Sequence, residues 1–285
     1  MKSYKPLPGK GRFVVTGGTE GIGKGIAEEF LLRNNSVAIC ARTKENLERM
    51  KDAHPELIAE RVDLSDRHAT RDFIQEVIYN LGGLDALILN ASIFDFDFKK
   101  RTDVSKDGVR KEMFQVNEVA NITLIRTSKE ALKKSRGVIV FLTTRFISKD
   151  IETASSIDGQ SAAAQEDIGQ YLTNKKRMRA YLDEFIKDEQ NSGILVFSVI
   201  PGTTNTTANK RLIEVGTSEM STAKIEERVA GRERDPRLVG RIIAKMTAIR
   251  KKFNSETCQY DTAIKNGEIV EISNAAIEFE KANQE

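Results

Sequence analysis

Tyr171 and Lys175, in the stretch "YLTNKK", place a phenol and an ammonium four residues apart. A tyrosine with its ordinary pKa of about 10 is a poor acid or base near neutral pH. A nearby cation favours the phenolate by Coulombic attraction, and residues i and i+4 of a helix share one face, so both side chains can point at one cleft. The chemistry on offer is exchange of a proton with a bound oxygen. The same spacing also occurs on solvated helices that do no chemistry, so the pair acquires meaning only from what surrounds it.

A second candidate lies near the start of the chain. In "TGGTEGIGKGIAEEF", Gly17, Gly21 and Gly23 form a tight turn between an apolar run and a helix-period segment. Glycines there let backbone N–H groups approach a phosphate while the helix directs its positive end at it. The G-x-x-x-G-x-G spacing departs from the better-known G-x-G-x-x-G pattern, and a turn without a ligand is the alternative. An acidic residue that would hold a free ribose 2′-hydroxyl is expected about 20 positions further on. The sequence there reads "ICART", with Ala41 in the acidic place and Arg42 beside it. A guanidinium grips a 2′-phosphate bidentately, so the expected cofactor is NADP, with NADPH preferred over NADH. The plainer reading of Arg42 is a surface arginine at a strand end. Asp63, in "VDLSD", is placed to meet the adenine edge.

These groups need a scaffold, and the sequence offers one. Short apolar runs at 13–16, 37–40, 57–62, 84–90, 137–144 and 194–200 alternate with helix-period segments, the rhythm of βαβ units around a parallel sheet. Their nearly continuous apolar character implies strands covered on both faces. The expected fold class is α/β: a Rossmann-like doubly wound parallel sheet of about seven strands, in a single domain spanning 1–285. Ser65 is the expected cap of a crossover helix with Phe73, Ile74, Val77 and Ile78 on one face and a stop at Gly82. Asp235 and Pro236 open a later helix whose basic end suits its dipole. Residues 145–170 are polar and break the rhythm, as an insertion would, and the chain closes on a short helix of unknown docking.

Composition excludes several classes. The 285 residues are 39% hydrophobic, and 45 basic against 42 acidic residues leave a net charge of +3, spread as a solvated surface rather than a nucleic-acid footprint. No apolar run reaches the roughly eighteen residues of a membrane span, and "MKSYKPLPGKGRF" lacks the apolar block of a secretory signal, so a cytoplasmic protein is expected. Cys40 and Cys258 imply no disulfide framework, and two histidines leave few metal ligands, so no metal site is expected.

Seven pieces in order, "TGGTEGIG", "VDLSD", "NASI", "QVNEVA", "FLTT", "YLTNK" and "PGTTNT", resemble the short-chain dehydrogenase/reductase family in its shorter subgroup, over residues 12 to 207. The resemblance implies that Tyr171 donates a proton to a carbonyl or takes one from an alcohol. It implies that Lys175 adjusts Tyr171 and holds the nicotinamide ribose, and that Asn117 retains a water in a proton relay; a helix-bending amide is the alternative for Asn117. It places Thr16, Gly17, Thr19, Glu20, Gly21, Ile22 and Gly23 at the pyrophosphate turn, Arg42, Asp63 and Leu64 around the adenosine, and Asn90, Ala91 and Ser92 beside the cofactor. Pro201 and Gly202 would border the nicotinamide, and Thr206, chosen among Thr203, Thr204, Thr206 and Thr207, its carboxamide or a phosphate.

The chain departs from the family pattern at the end of the fifth strand. Thr143 and Thr144 stand where a serine is usual; Thr144 aligns with it, and a threonine hydroxyl keeps the donor and acceptor. Thr144 and Tyr171 are 27 positions apart, about twice the family's separation, so either the insertion loops out or Ser156 or Ser161 substitutes. Glu20 occupies a place where some NADP-binding relatives carry a base. The resemblance assigns the substrate pocket to "FDFDFKK", to 145–170 and to a lid at 203–234, with Phe94, Phe96 and Phe146 as an apolar wall and Arg145 as a cation; packing and surface charge are equally open to them. It implies an NADPH-dependent carbonyl reductase, or alcohol dehydrogenase in reverse. An epimerase or dehydratase, and a non-catalytic NADP-binding module, are the alternatives. Homodimers or tetramers through the helices of Asn117 and Tyr171 are implied, with Met178, Leu182 and Ile186 serving either that interface or the core.

Overall fold

The computed structural model describes residues 10–93, 105–144, 162–202, 204, 206, 234–257 and 259–283. Phe94, Phe96, Arg145, Phe146, Ser156, Ser161, Thr203, Thr207 and Cys258, with most of the expected insertion and lid, lie outside them.

Six apolar runs form the strands β1 (Arg12–Thr16), β2 (Ser36–Ala41), β3 (Ile58–Arg61), β4 (Ala86–Leu89), β5 (Val138–Leu142) and β6 (Leu195–Ile200). With β9 (Glu268–Glu271) they make one seven-stranded parallel sheet in the order β3-β2-β1-β4-β5-β6-β9. The order reverses between β1 and β4, and a doubly wound sheet opens its crevice at the carboxyl ends of the strands at that point. A separate antiparallel ribbon, β7 (Lys251–Asn254) and β8 (Gln259–Ala263), stands beside the sheet.

The pleat sends successive side chains to opposite faces, and a core forms on each. Phe13 and Val15 pack on one face with Ile26 and Phe30 of α1 (Gly21–Leu32) and Val239 and Ile243 of α7 (Pro236–Ile249). The Phe13 and Phe30 rings stack with centroids 3.9 Å apart. Val14 faces the other way, onto Phe73 and Ile74 of α3 (Arg67–Leu81), Leu124 of α5 (Asn121–Ser135) and Met178 and Leu182 of α6 (Ala162–Asp188). Met178 and Leu182 therefore belong to the core, and Ile186 packs partly buried against it.

Local sequence sets the helix ends, with some departures from expectation. α3 is capped by Asp66, whose carboxylate accepts from the N–H groups of His68 and Ala69, rather than by Ser65, whose hydroxyl turns to Asp63. Both residues are good caps; the charged one also meets the helix dipole. α3 stops at Gly82 in the left-handed conformation. α7 opens as expected on Asp235 and Pro236, but the basic residues after it lie in its cap, Arg250, and in β7 instead of its last turn. The helix carrying Tyr171 already runs from Ala162, so the last part of the supposed insertion is helical. The closing helix α8 (Asn274–Ala282), capped by Ser273, docks on α7, where buried Glu280 accepts from Lys245 Nζ at 2.7 and 2.8 Å and from the Tyr260 hydroxyl at 2.8 Å.

Candidate active site

At the switch point the sheet opens into a groove of about 430 Å³. Its first wall is the glycine turn. Gly17 adopts φ 64°, a left-handed conformation that disfavours any side chain, and its N–H donates to the Cys40 carbonyl at 2.9 Å. A Cβ on Gly23 would collide with the Gly17 carbonyl and the Asn90 amide, so the turn closes only over glycine. Asn90 Nδ2 donates to the carbonyls of Thr16 and Gly17 at 2.9 and 3.1 Å, and Thr16 Oγ1 accepts from the N–H groups of Asn90 and Ala91. The turn is thereby riveted to the end of β4. No side chain caps the first turn of α1, whose N-cap is Glu20, so its positive end is left to the groove. This is a cradle that fits a pyrophosphate.

Thr19, Glu20, Gly21 and Ile22 line this end, and Thr206 sits over Gly21. Arg42, Leu64 and Val62 line the next stretch, joined by Cys40, Ala41, Thr43, Asn46 and Val116. Burial pushes the Cys40 thiol up to about 12, so it offers no nucleophile near neutral pH. Arg42 Nη1 donates to Glu112 Oε1 at 2.7 Å, and Glu20 accepts from Asn46 Nδ2. Asp63 does not line the groove: its carboxylate accepts from the Ser65 N–H and hydroxyl at 2.9 and 2.8 Å.

The other end is built by α6 and the end of β5. Tyr171, Lys175, Met178 and Leu182 form one stripe, the first two in the groove and the last two in the core. Lys175 is 3% exposed; its Nζ donates to the Leu142 carbonyl at 2.9 Å and lies 5.4 Å from the Tyr171 ring centre. Burial holds the ammonium down at about 7 and pushes the phenol up to about 12. Ser92, hydrogen-bonded to Tyr171, opposes the second shift. In this structure desolvation is the largest cause of both shifts.

Asn117 stands behind this pair, in a π-helical turn, Gln115–Ala120, between α4 (Lys106–Phe114) and α5. Its Oδ1 accepts from the Ile93 N–H at 2.8 Å and the Ser92 hydroxyl at 3.1 Å, and its Nδ2 donates to the Ile93 carbonyl at 2.8 Å. The side chain is thus occupied in holding the loop after β4. Its neighbour Glu118 is buried, and burial raises its carboxyl to about 7 despite Arg177 at 3.8 Å.

Thr143, not Thr144, contributes to the groove, and Thr143 Oγ1 is buried without a hydrogen-bond partner. Pro201 also lines it; buried Thr16, Gly23 and Asn117 and half-buried Gly202 do not, and Asp63 is exposed outside it. The sequence reading did not single out Val62, Val116, Ile93, Leu142 or Asn46. Val62, Val116 and Leu142 belong to segments already read as strands or helices, Ile93 to the loop after the fourth strand, and only the sheet order brings them to one wall.

The sequence model of the short chain dehydrogenase family matches residues 12–215. The chain belongs to that family. Its members are oxidoreductases that bind a nicotinamide nucleotide. L-fucose dehydrogenase of Bos taurus is 25% identical over 189 residues, 66% of this chain and 64% of its own length. Cis-1,2-dihydrobenzene-1,2-diol dehydrogenase of Pseudomonas putida is 26% identical over 132 residues, 45% of this chain and 48% of its own. The matches thus span about half to two thirds of these curated relatives. A short chain dehydrogenase from Burkholderia cenocepacia in complex with NADP superposes with a TM-score of 0.67 at 22% identity, covering 95% of this short-chain dehydrogenase and 99% of that chain. That likeness is one of fold. Among the described residues, no helix is long and apolar enough to cross a membrane, and no group of three metal-ligating side chains converges.

Proposed function

We propose that the chain catalyses reversible hydride transfer between NADP(H) and a carbonyl/alcohol pair, with Tyr171 exchanging the proton. The supporting observation is one groove that holds the glycine turn at one end and Tyr171 and Lys175, on one face of α6, at the other. When bound, the nicotinamide supplies or accepts the hydride. Tyr171 gives its proton to the substrate oxygen in reduction and takes one in oxidation. Burial disfavours the phenolate, and a cationic nicotinamide ring beside Tyr171 and Lys175 would offset that by favouring it. Lys175, fixed by the Leu142 carbonyl, keeps its remaining donors for the ribose and for Tyr171. Ser92 and Asn117 hold the loop against which Tyr171 rests. The Thr143 hydroxyl, unpartnered and lining the groove, is the donor we assign to the substrate oxygen in place of Thr144.

Arg42 supports NADP as the nucleotide, and one similar fold was solved with NADP. The relatives that act on a sugar and on a cis-diol support a hydroxylated substrate. The test follows nicotinamide absorbance with NADP and a panel of diols, sugars and the matching carbonyls. Turnover that disappears in Tyr171→Phe supports the reading. Tight NADPH binding with no turnover across the panel favours the binding module instead.

A further inference from the structure

Arg42 is offered to the groove already engaged. Its backbone carbonyl accepts from Arg61 Nε at 3.1 Å, which fixes the main chain at the end of β2. Its side chain, about half exposed at 54%, reaches α4 and meets Glu112 Oε1 through Nη1 at 2.7 Å. The Glu112 side chain is only 17% exposed, so its charge is the less hydrated of the two. The two residues are 70 positions apart and bring α4 to the end of β2, at the groove's adenosine end. A second carboxylate, Glu20, stands in the same wall, held by Asn46, whose Oδ1 in turn accepts from Arg49.

We infer that Glu112 is a specificity-determining residue that limits the preference for NADPH over NADH by competing with the 2′-phosphate for Arg42. This rests on the assignment of Arg42 to that phosphate. A guanidinium presents two bidentate edges. With Nη1 committed to Glu112, a phosphate is left the Nε–Nη2 edge of the same guanidinium, and there the carboxylate repels it well within a Debye length. Alternatively Arg42 releases Glu112 and gives up the ion pair with that largely buried carboxylate. Either route penalises the phosphorylated nucleotide and leaves NADH, which carries no charge there, untouched. The opposing idea is that Glu112 helps by orienting Arg42. Glu112→Gln separates the two, because the amide oxygen keeps an acceptor for Nη1 while the charge is removed.

The experiment measures dissociation constants of NADPH and NADH by nucleotide fluorescence at two salt concentrations, with no substrate needed. Glu112→Gln is expected to tighten NADPH about two- to fivefold, the scale of a partly exposed ion pair, and to steepen its salt dependence, with NADH unchanged. Unchanged or weaker NADPH binding overturns the inference, as does equal tightening of both nucleotides. Arg42→Ala serves as the separate control. If that variant leaves the NADPH to NADH ratio unaltered, the assignment of Arg42 itself fails; if it lowers the ratio while Glu112→Gln has no effect, only the competition fails. Unfolding midpoints confirm that each variant is folded.

Discussion

The two ends of the groove are built on opposite electrostatic terms. At the adenosine end, Arg42, Glu112, Glu20 and Asn46 are ion-paired or hydrogen-bonded near the surface, where water screens them. At the other end Tyr171, Lys175 and Glu118 are desolvated and shifted by burial, to about 12, 7 and 7. Removing one group from a hydrated network leaves solvent to replace it, and the cost is small. Removing one from a dry cluster changes what its neighbours can ionise. The nucleotide choice proposed for the first end should therefore be adjustable in small steps, whereas the proton chemistry proposed for the second should be close to all-or-none.

The sharpest attempt to break this contrast is Tyr171→Phe. It keeps the ring and its packing and deletes the proton, so turnover should fall by about 100-fold to 10,000-fold, the range of general acid–base catalysis, with NADPH affinity within about twofold. Steady-state rates and fluorescence titration check both halves; a large loss of affinity would mean that the phenol serves binding. Lys175→Met should likewise remove most turnover, and it should also raise stability. The ammonium titrates at about 7 in the folded chain against 10.5 normally, so the unfolded state binds more protons between those values. Stability from this group is present above the unfolded value and lost as pH falls through the folded one. Lys175→Met should thus raise the unfolding free energy by about 1–3 kcal/mol below neutrality, with the gain shrinking toward pH 10.5. A melting series against pH that shows a constant difference would contradict the assigned burial cost.

The end of β5 offers an intermediate effect. The Thr143 N–H donates to the Val199 carbonyl at 2.9 Å and continues the ladder with β6, while Oγ1 is buried and unpaired. Thr143→Val removes that orphan and should stabilise the fold by about 1 kcal/mol. If Thr143 donates to the substrate oxygen, the same change lowers turnover about tenfold or more while cofactor binding holds, and Thr144→Ala leaves turnover much nearer to wild type. The reverse ranking would return the role to Thr144.

This pair of threonines also shows how far the sequence could be read. Five of the sheet's strands, β1, β2, β4, β5 and β6, were legible because both faces of the sheet are covered there, which makes the apolar runs continuous; β3, at the edge, was read from a more mixed run. β8 and β9 were not: "QYDTA" and "EIVE" expose alternate residues and resemble loop polarity. Tyr171 and Lys175 were legible because one helical turn places them together. Which threonine faces the groove depends on strand parity at the last rung, and two identical residues in sequence carry no signal of it. The Arg42 partner is 70 positions away, on a helix with no marker of where it docks. Local spacing thus located the side-chain pair of the buried end, and only the folded sheet revealed the charge balance of the exposed one.

The smallest expected effect is at Asp63. Its carboxylate accepts from the Ser65 N–H and hydroxyl, an Asx turn that shapes the loop between β3 and α3. Asp63→Ala should therefore cost about 0.5–1 kcal/mol of stability and change NADPH affinity by less than about twofold, since the adjacent Val62 and Leu64 side chains line the groove while Asp63 does not. A carboxylate that left Ser65 to accept from the adenine amino group would make a charge-assisted bond, and its loss would weaken binding by about tenfold or more. Titration of this variant with NADPH and with adenosine alone distinguishes the two: a parallel tenfold loss for both would locate the contact at the base and give the exposed end one strong interaction that the contrast above denies it.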